Sequence, residues 1–193
     1  YQHKWNDVAW SEVPDEGQKN LEATIHRAVE VGIHHIETAR GYGSSEMQLG
    51  PVLKQFPRDK LIVQTKVAPF ANPKEFLDTF NTSMDFLQLE YVDLLSLHGI
   101  NNRQLLDWSL APNGCAAAAR WLQKEGRVRH VGFSTHATTD LMKMSELSQH
   151  LIVSNGNVTG VADRLVREGV AERWSPEADR RSFRIALTEY GRR

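Results

Sequence analysis

The amino-acid sequence predicts an α/β fold built on a parallel sheet, and three observations carry that prediction. Short apolar runs recur at nearly even spacing, helical patterns fill the gaps between them, and chemically capable polar residues stand where the runs end. The runs are "IHHIE" from Ile33, "LIVQTK" from Leu61, "YVDLLSLH" from Tyr91 and "VRHVGFS" from Val128. Their starts lie about 30 residues apart, the length of a strand, a crossover helix and two loops.

Each intervening segment reads as a helix for its own reason. From Gln18 to Val31, the apolar residues Leu21, Ile25, Ala28 and Val29 recur at helical spacing, and Gly32 stands where a helix stops. Asn72 and Pro73 open a second helix, with Leu77, Phe80, Met84 and Leu87 on one face. "CAAAARWLQKEG" is rich in alanine and runs out at Gly126. A doubly wound sheet and a (β/α)8 barrel share this rhythm, so periodicity leaves both open. The run ends are more specific: Glu37 closes the first strand, Tyr42 lies in the loop "TARGYGSSE", Lys66 closes the second strand and His98 the third. A carboxylate, a phenol, an amine and an imidazole are thereby directed to one end of the sheet. His34 and His35, inside a strand, read as sheet residues.

Composition bounds the function classes. The chain has 193 residues, 40% apolar and 24% charged, enough to bury a real core. No apolar run approaches the roughly 20 residues of a membrane helix. The start, YQHKWNDVAW, lacks a signal-peptide pattern, so no membrane partner and a cytoplasmic location are expected. One cysteine, Cys115, excludes an internal disulfide framework and a cysteine-built metal cluster, and it reads as a core residue; no metal is expected. The net charge of −1 is spread unevenly, with Arg180, Arg181, Arg184, Arg192 and Arg193 crowded near the end.

Four stretches in order, "GIHHIETARGYGSSEMQLG", "KLIVQTKVAP", "YVDLLSLHGIN" and "GRVRHVGFSTH", resemble the aldo/keto reductase family, and within it a branch that often carries an added iron–sulfur domain. The resemblance implies a (β/α)8 barrel, NADPH as cofactor and reduction of an aldehyde or ketone to an alcohol. It makes Tyr42 the proton donor, a role for which a phenol of ordinary pKa about 10 needs help. Lys66 then stabilises the phenolate, Glu37 holds Lys66 charged and oriented, and His98 positions the carbonyl oxygen or shares the proton relay. Most of the family has aspartate where this chain has Glu37. Ser134 matches a serine that binds the nicotinamide amide; Thr135 replaces the usual asparagine, and His136 is a further candidate at the pocket mouth. The first strand and the last three of such a barrel, the aromatic that stacks on nicotinamide, the basic adenosine-phosphate loop and the iron–sulfur cysteines have no counterpart in the sequence. Four strand–helix units therefore predict a partial barrel whose open edges and uncovered interior favour self-association or instability.

After Asp140 the rhythm changes. "MKMSELSQHL" and "SNGNVTGVADRLVREG" read as two helices joined by a tight turn, and VAERW and SFRIALT read as two strands around the charged SPEADRR. This portion resembles the winged helix-turn-helix of the MarR family of transcription regulators. The resemblance implies double-stranded DNA as partner, with Asn155, Asn157 and Thr159 facing the major groove. Arg164 would meet phosphate, and Arg180 or Arg181 at the wing tip would enter the minor groove. Helix capping by the asparagines and pairing of the arginines with Glu177 and Asp179 are the plainer readings. No Gly/Ser/Pro spacer separates the patterns. The expected organisation is a partial reductase barrel over residues 1–141 and a partial winged helix over 142–193. The leading function is an NADP(H)-dependent reductase acting on a small carbonyl substrate; a MarR-like regulator and a fragmentary fusion without activity are the alternatives.

Overall fold

The computed structural model describes residues 8–135, 166–167, 169, 171–174 and 184–189. The chain divides into two units, Tyr1–Thr135 and His136–Arg193.

In the first unit a parallel four-stranded sheet runs in the order β1 (His35–Glu37), β2 (Ile62–Val67), β3 (Val92–Leu97) and β4 (Val128–Phe133). The helices are α1 (Asp15–Glu30), α2 (Ser45–Leu53), α3 (Pro73–Leu87), α4 (Arg103–Leu110) and α5 (Cys115–Lys124). Strand order follows chain order, and each parallel neighbour is reached through at least one helix, as in a stretch of barrel wall. The register aligns Glu37 with Gln64, and Lys66 with Ser96 and Gly132. Among the described residues β1 and β4 are the edges.

The first strand is shorter than the sequence predicts. Gly32 at φ +87° turns the chain at the end of α1, and Ile33 N donates to Ala28 O at 2.8 Å. Ile33 therefore closes the helix instead of opening the strand. Asn72 caps α3 by accepting from Lys74 N at 3.0 Å, with Pro73 as the first helical residue, as the sequence reading expects. The buried face of α3 is Phe76, Phe80, Met84 and Leu87, so Phe76 holds the place assigned to Leu77; both lie one helical turn before Phe80. Two helices were not anticipated. One is α4, capped by Asn102, which accepts from Leu105 N at 2.9 Å. The other is α2, which contains Gly50 and Pro51. Gly50 is required there, because a Cβ would stand 2.2 Å from Phe86 O on α3.

Sheet residues alternate between two faces with period two. Ile36, Val63, Val67, Leu95 and Leu97 are buried, as are Leu49, Val52 and Leu53 of α2, Phe76, Phe80 and Leu87 of α3, and Ala119 and Leu122 of α5. Each large side chain buried this way is worth roughly 1.5–3 kcal/mol. Cys115 belongs to this core. Its Sγ donates to Phe70 O and accepts from Phe70 N, both at 3.3 Å, and burial pushes the thiol pKa up. On the opposite face His35 Nε2 meets Gln64 Oε1 at 3.1 Å, and Gln64 Nε2 donates to Ser96 Oγ at 3.2 Å.

In the second unit β5 (Ala171–Trp174) pairs antiparallel with β6 (Arg184–Leu187), where the sequence reading places two strands. Gly169 at φ +72° precedes β5, and Thr188 Oγ1 donates to Gly169 O at 2.6 Å. The expected helix-turn-helix over 142–165 lies outside the described residues. No helix among the described residues is long and apolar enough to cross a membrane.

Candidate active site

The carboxyl end of the sheet gathers four of the residues singled out in the sequence. Glu37 is the last residue of β1, and the chain then turns through Thr38–Ser44 over the end of β2. Backbone bonds fix that turn: Thr38 N donates to Gln64 O and Arg40 N to Lys66 O, both at 2.9 Å, and Tyr42 N donates to Ala39 O at 3.0 Å. Thr38 Oγ1 and Ser45 Oγ, 2.8 Å apart, close it where α2 begins. Tyr42 is thereby brought beside the next strand.

Lys66 is only 4% exposed. A buried ammonium is stable only with partners, and here it has two. Its Nζ donates to Glu37 Oε1, and it stands 4.9 Å from the centroid of the Tyr42 ring. Burial alone lowers the lysine pKa, but the bonds to Glu37 and Tyr42 and the charges they carry outweigh it, so the Lys66 ammonium is held above its ordinary range. The Glu37 side chain is 51% exposed, which places one side of the pair against solvent. His98 follows β3, with its backbone N donating to Val67 O at 2.8 Å. Its imidazole meets the Tyr42 ring edge-on, with centroids 5.5 Å apart and planes at 84°. Glu37, Lys66, Tyr42 and His98 form one contiguous cluster.

Ser134 stands at the end of β4, one strand further on. Its N donates to Leu97 O at 2.9 Å, its carbonyl accepts from Ile100 N at 2.8 Å, and its Oγ accepts from Gly99 N at 3.0 Å. The serine thus anchors the turn just after His98. Thr135 Oγ1 donates to Ile100 O at 2.8 Å and braces the same turn. His136, Asn155, Asn157, Thr159, Arg164, Arg180 and Arg181 lie outside the described residues. Among the described residues no three His, Cys, Asp or Glu side chains group as a metal site.

Sequence reasoning missed a second charged pair beneath the Tyr42 loop. Glu46 of α2 is fully buried, accepting from Arg40 Nη1 at 2.8 Å and from Thr65 Oγ1. A signal was present. Leu49, Gly50 and Leu53, three, four and seven residues on, put Glu46 on the buried face of a helix, but the Gly-Pro pair inside that helix hides the periodicity.

Strand ends that bring an acid, a lysine, a tyrosine and a histidine together on a stretch of parallel barrel wall define a protein class, and comparison with known proteins agrees. The chain belongs to the aldo/keto reductase family, whose family model matches residues 7–174. It is 30% identical over 141 residues to an uncharacterised oxidoreductase of Caenorhabditis elegans, covering 69% of this chain and 42% of that protein. It is 32% identical over 130 residues to a 9,11-endoperoxide prostaglandin H2 reductase of Trypanosoma cruzi, covering 64% and 43%. Among solved structures, an aldo/keto reductase from Brucella melitensis superposes with a TM-score of 0.55 at 26% identity, covering 70% of this chain and 51% of that one. One from Klebsiella pneumoniae, in complex with NADP and acetate, gives a TM-score of 0.57 at 21% identity, covering 78% and 49%, a likeness of fold. The chain spans less than half the length of these two curated relatives.

Proposed function

We propose that the chain carries the proton-handling site of an NADPH-dependent reductase that converts an aldehyde or ketone to an alcohol. One observation carries the reading: a buried lysine held between the Glu37 carboxylate and the Tyr42 ring, with His98 against the same ring. When bound, NADPH supplies the hydride. Ser134 suits its carboxamide, because an Oγ that accepts from Gly99 N keeps its own hydrogen to donate. Tyr42 Oη gives its proton to the carbonyl oxygen as charge builds there, and the resulting phenolate lies beside the Lys66 ammonium. Glu37 keeps that ammonium protonated and aimed, and the His98 imidazole orients the carbonyl oxygen toward Tyr42. The substrate class is a small carbonyl compound.

The test is consumption of NADPH by the full chain with a panel of aromatic and aliphatic aldehydes, followed by nicotinamide absorbance. Tyr42→Phe should lower turnover about 1,000-fold while nicotinamide fluorescence still reports cofactor binding. Folded chain that consumes no more NADPH than buffer does would overturn the reading.

The antiparallel β5–β6 pair supports a second reading for the second unit, in which the segment joining its strands, with Arg180 and Arg181, is a wing that touches DNA. Its test is a mobility shift on mixed-sequence duplex at low salt. Loss of the shift in Arg180→Ala/Arg181→Ala supports the wing, and no shift with the parent chain removes it.

A further inference from the structure

The Arg40–Glu46 pair, whose carboxylate is fully buried, ties together the two parts of the chain that the proposed chemistry needs at a fixed separation. Arg40 lies two residues before Tyr42 in the loop after β1. Its backbone N donates to Lys66 O at 2.9 Å, and its guanidinium donates to Glu46 Oε2 at 2.8 Å while lying 4.7 Å from the centroid of the Phe86 ring on α3. The other oxygen of Glu46 accepts from Thr65 Oγ1, and Thr65 immediately precedes Lys66 on β2. One carboxylate, fully excluded from solvent, thus holds the loop of Tyr42 through Arg40 and the strand of Lys66 through Thr65. A buried ion pair is a poor device for stability, because apolar residues of similar volume usually do as well or better. It is a good device for geometry, because a paired guanidinium and carboxylate are directional.

We infer that Glu46 and Arg40 are positioning residues that set the Tyr42 phenol beside the Lys66 ammonium, acting through the loop and the strand they join. The inference rests on the reductase reading for its catalytic consequence but not for its geometry. Proton transfer and stabilisation of the phenolate both depend on the distance between ring and ammonium, and a displacement of about 1 Å costs a rate on the order of 100-fold.

The experiment uses the full chain and the charge-balanced variant Arg40→Met/Glu46→Leu, which leaves no lone buried charge. With an aldehyde substrate, kcat should fall about 100-fold while KM for NADPH and the melting temperature stay near those of the parent chain. A second readout needs no turnover: the alkaline titration of Lys66, followed by carbon-13 resonances of labelled lysine and assigned with Lys66→Met. Tyr42→Phe should lower the Lys66 midpoint. The charge-balanced variant should lower it too, and the triple variant should go no further than Tyr42→Phe, because the tether acts through Tyr42. A simple change of local field would instead add to the effect of Tyr42→Phe. If the charge-balanced chain does not fold, Thr65→Val, which removes only the hydroxyl bond to Glu46, takes its place in both measurements. Unchanged kcat with an unchanged Lys66 midpoint, or strict additivity, overturns the inference. If no form turns over, the reductase reading falls, and the titration alone decides the positioning role: non-additivity sustains it and additivity ends it.

Discussion

The two ends of the same four strands carry charge in opposite styles. At the amino end Asp93 is nearly buried and fully engaged. Its Oδ2 accepts from Val63 N at 2.9 Å and Arg58 Nη2 at 2.7 Å, and its Oδ1 accepts from Arg129 Nη1 at 3.0 Å. The Tyr91 ring lies 4.0 Å from the Arg58 guanidinium and 4.5 Å from that of Arg129, and its hydroxyl accepts from Arg129 Nη2 at 3.0 Å. Arg58 also donates to Leu61 O and Tyr91 O. These groups largely satisfy one another. At the carboxyl end the Glu37 carboxylate is half exposed, Tyr42 and His98 are half-buried, and a buried ammonium lies among them. Breaking a closed network strands buried charge, whereas an open one keeps charge beside solvent where a reacting molecule can enter. In barrels the amino end commonly serves stability and the carboxyl end chemistry.

The comparison breaks most sharply under a crossed pair of substitutions. Lys66→Met should lower kcat on an aldehyde by about 1,000-fold with little change in stability, since methionine fills the buried space and Glu37 is free to turn to water. Asp93→Asn should do the reverse. It leaves two guanidinium groups facing a neutral amide, and losing one partner of a buried charged cluster costs about 3 kcal/mol. Urea unfolding measures the loss, and turnover per folded molecule should hold. If Asp93→Asn lowers turnover more than stability, the division between the ends is wrong.

How much of this contrast could be read from the sequence follows from distance along the chain. Glu37, Tyr42, Lys66 and His98 were legible because each stands at or just after a strand end, and parallel strands bring their ends together whatever else the fold does. The helix over α3 was legible because Asn72 and Pro73 cap it locally. The amino-end cluster was not, because Arg58, Asp93 and Arg129 are 35 and 36 residues apart. Whether such charges meet depends on strand register, which pairs Leu94 with His130 and Val92 with Val128 and is not written in any short motif. Glu46 was missed for a third reason: its helix is marked by burial, while its own composition, with Gly50 and Pro51, argues against a helix.

A smaller effect sharpens the account of the amino end. Arg58 and Arg129 grip the same carboxylate, but the Arg129 side chain is 55% exposed and that of Arg58 22%. Ion pairs open to water are worth about 0–1 kcal/mol. Arg129→Met should therefore cost no more than about 1 kcal/mol in urea unfolding, and Arg58→Met clearly more. Equal losses would mean that the stacking on Tyr91, shared by both, outweighs the charge pairing.

The smallest effect lies at alkaline pH and reports on the carboxyl end alone. Burial opposes the charge of Lys66, yet Glu37 and Tyr42 raise its pKa in the folded chain above the ordinary lysine value of 10.5. Below that value the ammonium is charged in both folded and unfolded chains, so its contribution to stability is whole. As pH climbs through the raised folded value the proton leaves and that contribution is lost. The parent chain and Lys66→Met should therefore keep a constant difference in unfolding free energy from neutral pH up to the ordinary lysine range, and the parent should lose ground only above it. Lysines and tyrosines elsewhere titrate in both chains and cancel in the difference. A difference that already moves in the parent's favour below the ordinary value would mean that burial, and not Glu37 with Tyr42, governs the ammonium. A lysine that sheds its proton first in the folded chain gains stability as pH rises, and the open end would then hold a lysine ready to give up its proton.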